Sequence, residues 1–359
     1  MPYCRRCGAK LEEDWRFCQK CGTQVITNYY TPPPAQPAPA APPRTMRRDP
    51  ILWTGVALAA ILISAAVIAI ILAAPIGTWS LAAPYGDSSP NVRTLNLNFQ
   101  ADNAKVNILT EKNGDDNILV YVSGNGSRGL TSNSGAPLNV TFVNQTVGDV
   151  LTVDMEVMVE EPLPLANVVC DIYVDPNLTL NLNVATTAGQ ITFNADQPTT
   201  IETLSLQATN GQVEAKLHSD TTVAGTITLK TTTGAVYYSM SETEVVGNCT
   251  LDLQSTTGAV NIVISETKTL QGNMHVGTDT NTGAINVNLT VDGGVGAKIT
   301  SQVNGFGNIH ADITHFKGDK SPLQSDNYPA ASNIEITNRV NGFGDINIDA
   351  VYQTQLASS

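Results

Sequence analysis

One short pattern recurs seven times in the second half of this 359-residue chain. A glycine is followed by apolar residues at the second, fourth and sixth positions after it. Gly189 leads Ile191, Phe193 and Ala195; Gly211 leads Val213, Ala215 and Leu217; Gly234 leads Val236, Tyr238 and Met240. Gly258 leads Val260, Ile262 and Ile264; Gly283 leads Ile285, Val287 and Leu289. Gly307 leads Ile309, Ala311 and Ile313; Gly344 leads Ile346, Ile348 and Ala350. The first six glycines are 22, 23, 24, 25 and 24 residues apart. Side chains two apart on a strand share a face, so each run offers one inward row. A near-fixed period with one buried row per unit marks a repeat architecture in which neighbouring units stack. It points away from a pocketed enzyme and towards a long strand-built surface.

Alternation also precedes the glycines, in Leu182/Val184, Leu204/Leu206, Ile227/Leu229 and Leu251/Leu253, so each unit reads strand, turn, strand. Thr187, Asn210, Thr233 and Thr257 fall at or near the turns, where small polar side chains bond their own backbone. The near-identical strings Val303-Asn-Gly-Phe-Gly-Asn-Ile309 and Val340-Asn-Gly-Phe-Gly-Asp-Ile346 extend the series. The gap of 37 from Gly307 to Gly344 predicts an inserted loop around Lys317–Tyr328. Upstream, Leu95/Leu97/Phe99 and Val106/Ile108 frame Ala104 with similar spacing, as a degenerate first unit would. The predicted fold class is mainly β: a β-solenoid, β-helix-like, of 22–25-residue units over residues 91–352. The near-constant unit length favours it over a β-sandwich of hairpins.

Only 14% of residues are charged, and with many β-branched residues this suits a folded strand-rich body rather than disorder. The net charge of −13 is unevenly spread. Residues 1–50 carry eight Lys/Arg against four Asp/Glu, or +4; the remainder carries eleven against twenty-eight, or −17. No nucleic-acid partner is expected for so acidic a body. Residues 51–74 contain no charge across 24 positions, about 36 Å as a helix and enough to cross a hydrocarbon core of roughly 30 Å. Trp53 and Trp79 stand near its ends like interfacial aromatics, and Pro75 and Gly77 stop the helix. Arg44, Arg47 and Arg48 precede it, whereas Arg93 is the first cation after it. The positive-inside rule then predicts a single-pass cell-membrane protein with a cytoplasmic N-terminus and an extracellular C-terminal domain. Asn-x-Ser/Thr triplets at Asn125, Asn139, Asn144, Asn177, Asn248 and Asn288 all fall on that outer side, at about the frequency chance gives.

Cys4-x2-Cys7 and Cys18-x2-Cys21 are separated by ten residues, each pair followed by a glycine, Gly8 or Gly22. Two thiolates three apart grip one metal from a tight turn, and four complete a tetrahedral Zn²⁺ shell. So small a module buries little apolar surface, with Leu11, Trp15 and Phe17 as its candidate core, and metal binding supplies its folding energy. The string resembles the short zinc-ribbon at the N-terminus of many prokaryotic membrane proteins. That resemblance implies zinc ligation by Cys4, Cys7, Cys18 and Cys21. No open coordination position suggests catalysis, so the zinc is read as structural. The chain thus divides into a zinc ribbon (1–26), a Pro-rich linker with a basic juxtamembrane end (27–50), the span (51–74), a linker (75–90), the β-repeat domain (91–352) and a tail (353–359).

Asp171-Ile-Tyr-Val174, Leu178-Thr-Leu-Asn-Leu182, Thr186-Thr-Ala-Gly189-Gln-Ile191 and the Thr-Thr-Gly-Ala-Val strings at 232–236 and 256–260 resemble the adhesin-type β-repeat family of bacterial and archaeal envelope proteins. The resemblance implies a surface-binding role, with surface polymers or other envelope proteins as partners. Its repeat glycine is commonly followed by an acid, where this chain has Gln190, Gln212, Ala235, Ala259 and Ala284. Catalysis is not expected: His218, His275, His310 and His315 read as solvent-facing strand residues. Asp312, Asp345, Asp349 and Glu335 read as a solvated acidic edge, with Ca²⁺ as the alternative. Cys170 and Cys249 are either bridged or two buried thiols. The functional expectation is a membrane-anchored binding or scaffold protein. A transmembrane sensor signalling from the outer domain to the ribbon is the alternative.

Overall fold

The computed structural model describes residues 3–4, 6–12, 16–24, 62–65, 77–128, 138–159, 167–268 and 270–353. They belong to two compact units, one within Met1–Ala65 and one within Ala66–Ser359, each with its own core.

The small unit is built from two equivalent knuckles. Cys4 N–H donates to Ala9 O at 2.8 Å and Gly8 N–H to Cys4 O at 2.9 Å; Cys18 to Thr23 and Gly22 to Cys18 repeat the arrangement at 2.8 Å each. Both glycines sit at φ 71°, the left-handed conformation that a side chain disfavours. The core is Cys4, Leu11 and Cys18. Leu11 is therefore buried as expected, but Phe17 is 56% exposed, a correction to its predicted core role. Its strand-like bridge to Gln24 turns the ring outward. Trp15 lies outside the described residues.

The large unit is two sheets facing each other across one apolar core. The first sheet holds, in spatial order, β1 (Gly77–Asp87), β4 (Ile118–Arg128), β7 (Asn167–Val174), β3 (Lys105–Thr110), β9 (Ile191–Ala195), β11 (Val213–Leu217), β13 (Val236–Ser241), β15 (Val260–Glu266), β17 (Ile285–Asp292), β23 (Ile346–Gln353) and β19 (Ile309–Thr314). The second holds β20 (Phe316–Lys317), β21 (Leu323–Ser325), β18 (Val295–Val303), β22 (Ser332–Phe343), β16 (Gln271–Thr282), β14 (Glu244–Thr257), β12 (Thr221–Thr233), β10 (Thr199–Asn210), β8 (Thr179–Ala188), β2 (Thr94–Asn103), β6 (Val150–Val159) and β5 (Leu138–Val147). From β8 to β19 the chain alternates between sheets, one strand in each per repeat, and pairs in parallel with the neighbouring repeats. The sheets are mixed, because antiparallel pairs β1–β4, β4–β7, β5–β6, β18–β21 and β20–β21 finish the ends.

The predicted inward rows stack into columns. Val106, Ile191, Val213, Val236, Val260, Ile285 and Ile346 are successive register partners in the first sheet, all fully buried. Ala104 does stand where later units have glycine, since Val106 pairs with Ile191. The drift of the period is absorbed on the second sheet. Register jumps occur between Ile201 and Thr203, Val223 and Thr226, and Val245 and Thr250, so each bulge holds its unit's extra residues while the glycine end stays aligned.

Two expectations change, and a third lies mostly outside the described residues. Residues 77–87, read within a linker, form β1 and pair along their whole length with β4; Trp79 is 4% exposed in the core rather than an interfacial anchor. Pro84 is tolerated because β1 is an edge strand. The stack is not sequential: β22/β23 lies between β16/β17 and β18/β19, and the predicted loop carries the short hairpin β20–β21. Of the predicted span 51–74, only residues 62–65 are described, as helix; no helix among the described residues is long and apolar enough to cross a membrane.

Candidate metal centre and binding faces

The knuckles bring all four predicted sulfur ligands together. Cys4, Cys7, Cys18 and Cys21 Sγ atoms lie within 4.8 Å of one another, with Cys4–Cys21 and Cys7–Cys18 both at 3.6 Å. A tetrahedron with Zn–S near 2.3 Å has edges of about 3.8 Å, so the donor set fits zinc in size and softness. Thr23 was not visible as a contributor from sequence. Its hydroxyl lies 3.2 Å from Cys21 Sγ, and that bond, with its backbone N–H, brings the Cys21 thiol down to about 6; the Ala9 backbone N–H lowers Cys7, but its sulfur neighbours and burial outweigh it and push that thiol up to about 12. The site is a structural zinc site.

The outer faces of the large unit carry polar rows. On the first sheet Asn261, Asn286, Asn347 and His310 are successive register partners, and Asn288, Asp349 and Asp312 form the next row. Asn347 Nδ2 donates to Asn286 Oδ1, and Asn286 Nδ2 to Asn261 Oδ1, each at 2.8 Å. These rows floor a groove of about 670 Å³, bounded by Asp319 and Lys320. A second groove, about 480 Å³, crosses the second sheet over Gln207, Lys230 and Gln254. There three of the donors are engaged within the sheet: Lys230 Nζ sits 3.1 Å from Asp252, Gln254 donates to Asp252 at 2.9 Å, and Gln207 to Ser205 at 3.1 Å.

The four histidines are exposed, as expected, but only His275 and His310 are strand residues; His218 and His315 follow the ends of β11 and β19. His218 faces Asp196 at 3.2 Å, His275 faces Glu335 at 3.5 Å and His315 faces Asp326 at 3.6 Å. The acidic residues considered together are not one cluster. Asp312 and Asp349 are register partners, Asp345 accepts from Asn308 N–H at 2.8 Å, and Glu335 lies on the other sheet, accepting from Tyr328 Oη at 2.6 Å. Among the described residues the cysteine quartet is the only group of three or more such side chains close enough to share a metal ion. Cys170 and Cys249 are free, buried and in different sheets. Burial pushes the Cys170 thiol up to about 12 and raises that of Cys249, so neither is poised as a nucleophile.

A sequence profile of the zinc-ribbon domain matches residues 3–25. No curated protein matches the chain. Among solved structures, a candidate cell adhesion protein from Clostridium sporogenes aligns at 11% identity and TM-score 0.38, covering 76% of this chain and 100% of its own. A candidate adhesin from Bacteroides fragilis aligns at 13% identity and TM-score 0.32, covering 75% and 97%. A candidate lipid-binding protein from Parabacteroides distasonis aligns at 9% identity and TM-score 0.25, covering 76% and 98%. Likeness this slight carries no argument about role.

Proposed function

We propose that the large unit is a β-solenoid that works outside the cell as a non-catalytic binding or scaffolding surface. The apolar segment 51–74 anchors it in the membrane, and the zinc ribbon folds on the cytoplasmic side. The observation that carries the reading is the pair of long outer faces, where exposed side chains repeat strand after strand in register over parallel neighbours. Such faces offer many similar hydrogen-bonding sites, so contact with a surface polymer or with like chains is weak per site and strong in number. Attachment then depends steeply on density, because linked sites gain through effective concentration.

The test compares full-length protein in detergent with the same protein clustered on beads, each applied to envelope preparations. Clustering should raise attachment by roughly two orders of magnitude or more. A tight one-to-one complex of the unclustered protein with a small molecule, or turnover of any glycan, would overturn the reading and favour a sensor or an enzyme. Protease added to intact cells should digest the large unit and spare a tag at Met1; the reverse pattern inverts the orientation.

A further inference from the structure

We propose that the groove on the outer face of the first sheet, over β15, β17, β23 and β19, is a binding site for an uncharged glycan chain. The proposal rests on the surface-binding reading and narrows it to one site and one ligand chemistry. Its floor is the asparagine ladder. Asn286 spends one N–H on Asn261 and one lone pair on Asn347, which fixes the plane of its amide. One N–H and one lone pair remain for a ligand, the pairing that a sugar hydroxyl, both donor and acceptor, satisfies. Parallel strands set these amides roughly 4.8 Å apart, an interval close to the length of one sugar unit in an extended chain. A glycan laid across the strands would meet equivalent groups unit after unit.

The neighbouring row supplies what the ladder lacks. Asp349 and Asp312 are adjacent in register, and a carboxylate accepts from two hydroxyls at once. Val263, 45% exposed on the same floor, gives the apolar face of a sugar ring something to rest on. Lys320 rises at the wall, on a loop tied down where Ser301 N–H donates to Ser321 Oγ at 2.8 Å.

Around the ladder, this groove also holds polar side chains that are idle. The side chains of Asn288, His310, Asp312, Lys320 and Asp349 make no hydrogen bond or ion pair with any described residue, and they include carboxylates as well as a cation; on the second sheet the charged and amide groups Lys230, Gln254 and Gln207 are engaged within the sheet, and what is left unspent there includes Gln100 and threonine hydroxyls. An array of unspent donors and acceptors around a fixed amide ladder is a surface prepared for a hydroxyl-rich ligand. Two carboxylates on the floor, in a body of net charge −17 over residues 51–359, turn away polyanions.

The test is affinity electrophoresis of the full-length protein through gels containing a soluble neutral glucan, mannan or galactan, with alginate, heparin and polylysine as charged comparators. At least one neutral polymer should retard the protein. Asn286→Thr with Asn347→Thr, and separately Asp349→Asn, should weaken that binding about tenfold, while Gln254→Ala on the other face leaves it unchanged. Unchanged retardation in the folded double variant and in Lys320→Ala, whose loop position leaves the sheet intact, would overturn the groove while the surface-binding reading stands. Retardation by alginate, heparin or polylysine alone overturns the ligand class. If clustered protein attaches to envelopes but no neutral polymer binds, the glycan proposal falls alone; if it attaches to nothing, both fall.

Discussion

Two columns of residues hold consecutive repeats together at the turn. The repeat glycines sit at φ between 137° and 156°, and a Cβ at Gly211, Gly234, Gly258 or Gly283 would collide with the carbonyl oxygen of the glycine one repeat earlier. Three residues before Gly234, Gly258 and Gly283 stands a buried hydroxyl that closes the same contact. Thr231 donates to Gly211 O at 2.8 Å, Ser255 to Gly234 O at 2.9 Å and Thr280 to Gly258 O at 3.1 Å. Ala208 occupies the equivalent place, in register with Thr186 and Thr231, and brings no hydroxyl to Gly189 O. Ala208→Ser should restore the bond and stabilise the unit by about 1 kcal/mol, read as a higher midpoint in denaturant. Gly234→Ala should cost on the order of 3 kcal/mol, through the collision. The glycines were legible from their spacing. The hydroxyls were not, because Thr and Ser beside a turn look like ordinary turn formers. A deeper irregularity is Glu266, fully buried, with Oε1 accepting from Thr243 N–H at 3.0 Å and Oε2 without a partner. Burial is the main cause that raises its carboxyl to about 8; Glu242 adds to it, while the Thr243 bond and Lys268 oppose. An acid raised on folding binds its proton more tightly in the native state, so stability should fall as pH rises from about 4.5 to 8. Glu266→Gln should flatten that slope in melting curves across the same range; an unchanged slope would assign it to other groups.

At the scale of elements, what sequence displays is period, not adjacency. The inward rows were readable because alternation and burial coincide in every unit from β8 to β17. The order of the last two units was not. A gap of 37 residues says that a detour exists but not that β22 and β23 will slot inside β18 and β19. The interleaving sets the two Asn-Gly-Phe-Gly turns side by side, with the Phe306 and Phe343 rings stacked at 5.3 Å. β1 was missed because Pro84 and Gly86 imitate a linker, and only pairing with β4 reveals an edge strand. The knuckles are the opposite case, since Cys-x2-Cys followed by glycine dictates both turn and ligand with no help from tertiary context. Their core of Cys4, Leu11 and Cys18 is too small to fold unaided. A strong chelator should therefore abolish the amide protection of residues 3–24 and leave the melting temperature of the large unit unchanged. The reading that the two units fold independently would not survive a chelator-induced drop in that melting temperature.

At the scale of the molecule, charge is segregated more sharply than apolarity. Residues 51–359 carry −17 and residues 1–50 carry +4, so the β unit approaches any surface as a polyanion. Its repulsion from anionic surfaces reaches about 30 Å at 0.01 M salt and about 8 Å at 0.15 M. A hydroxyl-rich neutral ligand feels none of this. Binding to neutral glycan should accordingly stay within about twofold across that range, because hydrogen bonds inside a groove are little screened. Attachment to alginate-coated or anionic-lipid surfaces should be weak at low salt and strengthen as repulsion is screened. Proteins that bind polyanions through lysine and arginine do the reverse, losing affinity steeply because added salt reduces the gain from counterion release. Surface plasmon resonance of the full-length protein over the three coatings decides between them. A steep loss of binding with added salt on any coating would mean that a local cationic site outweighs the field of the whole body, and Lys320, the unpaired cation at the groove wall, would be the first side chain to replace.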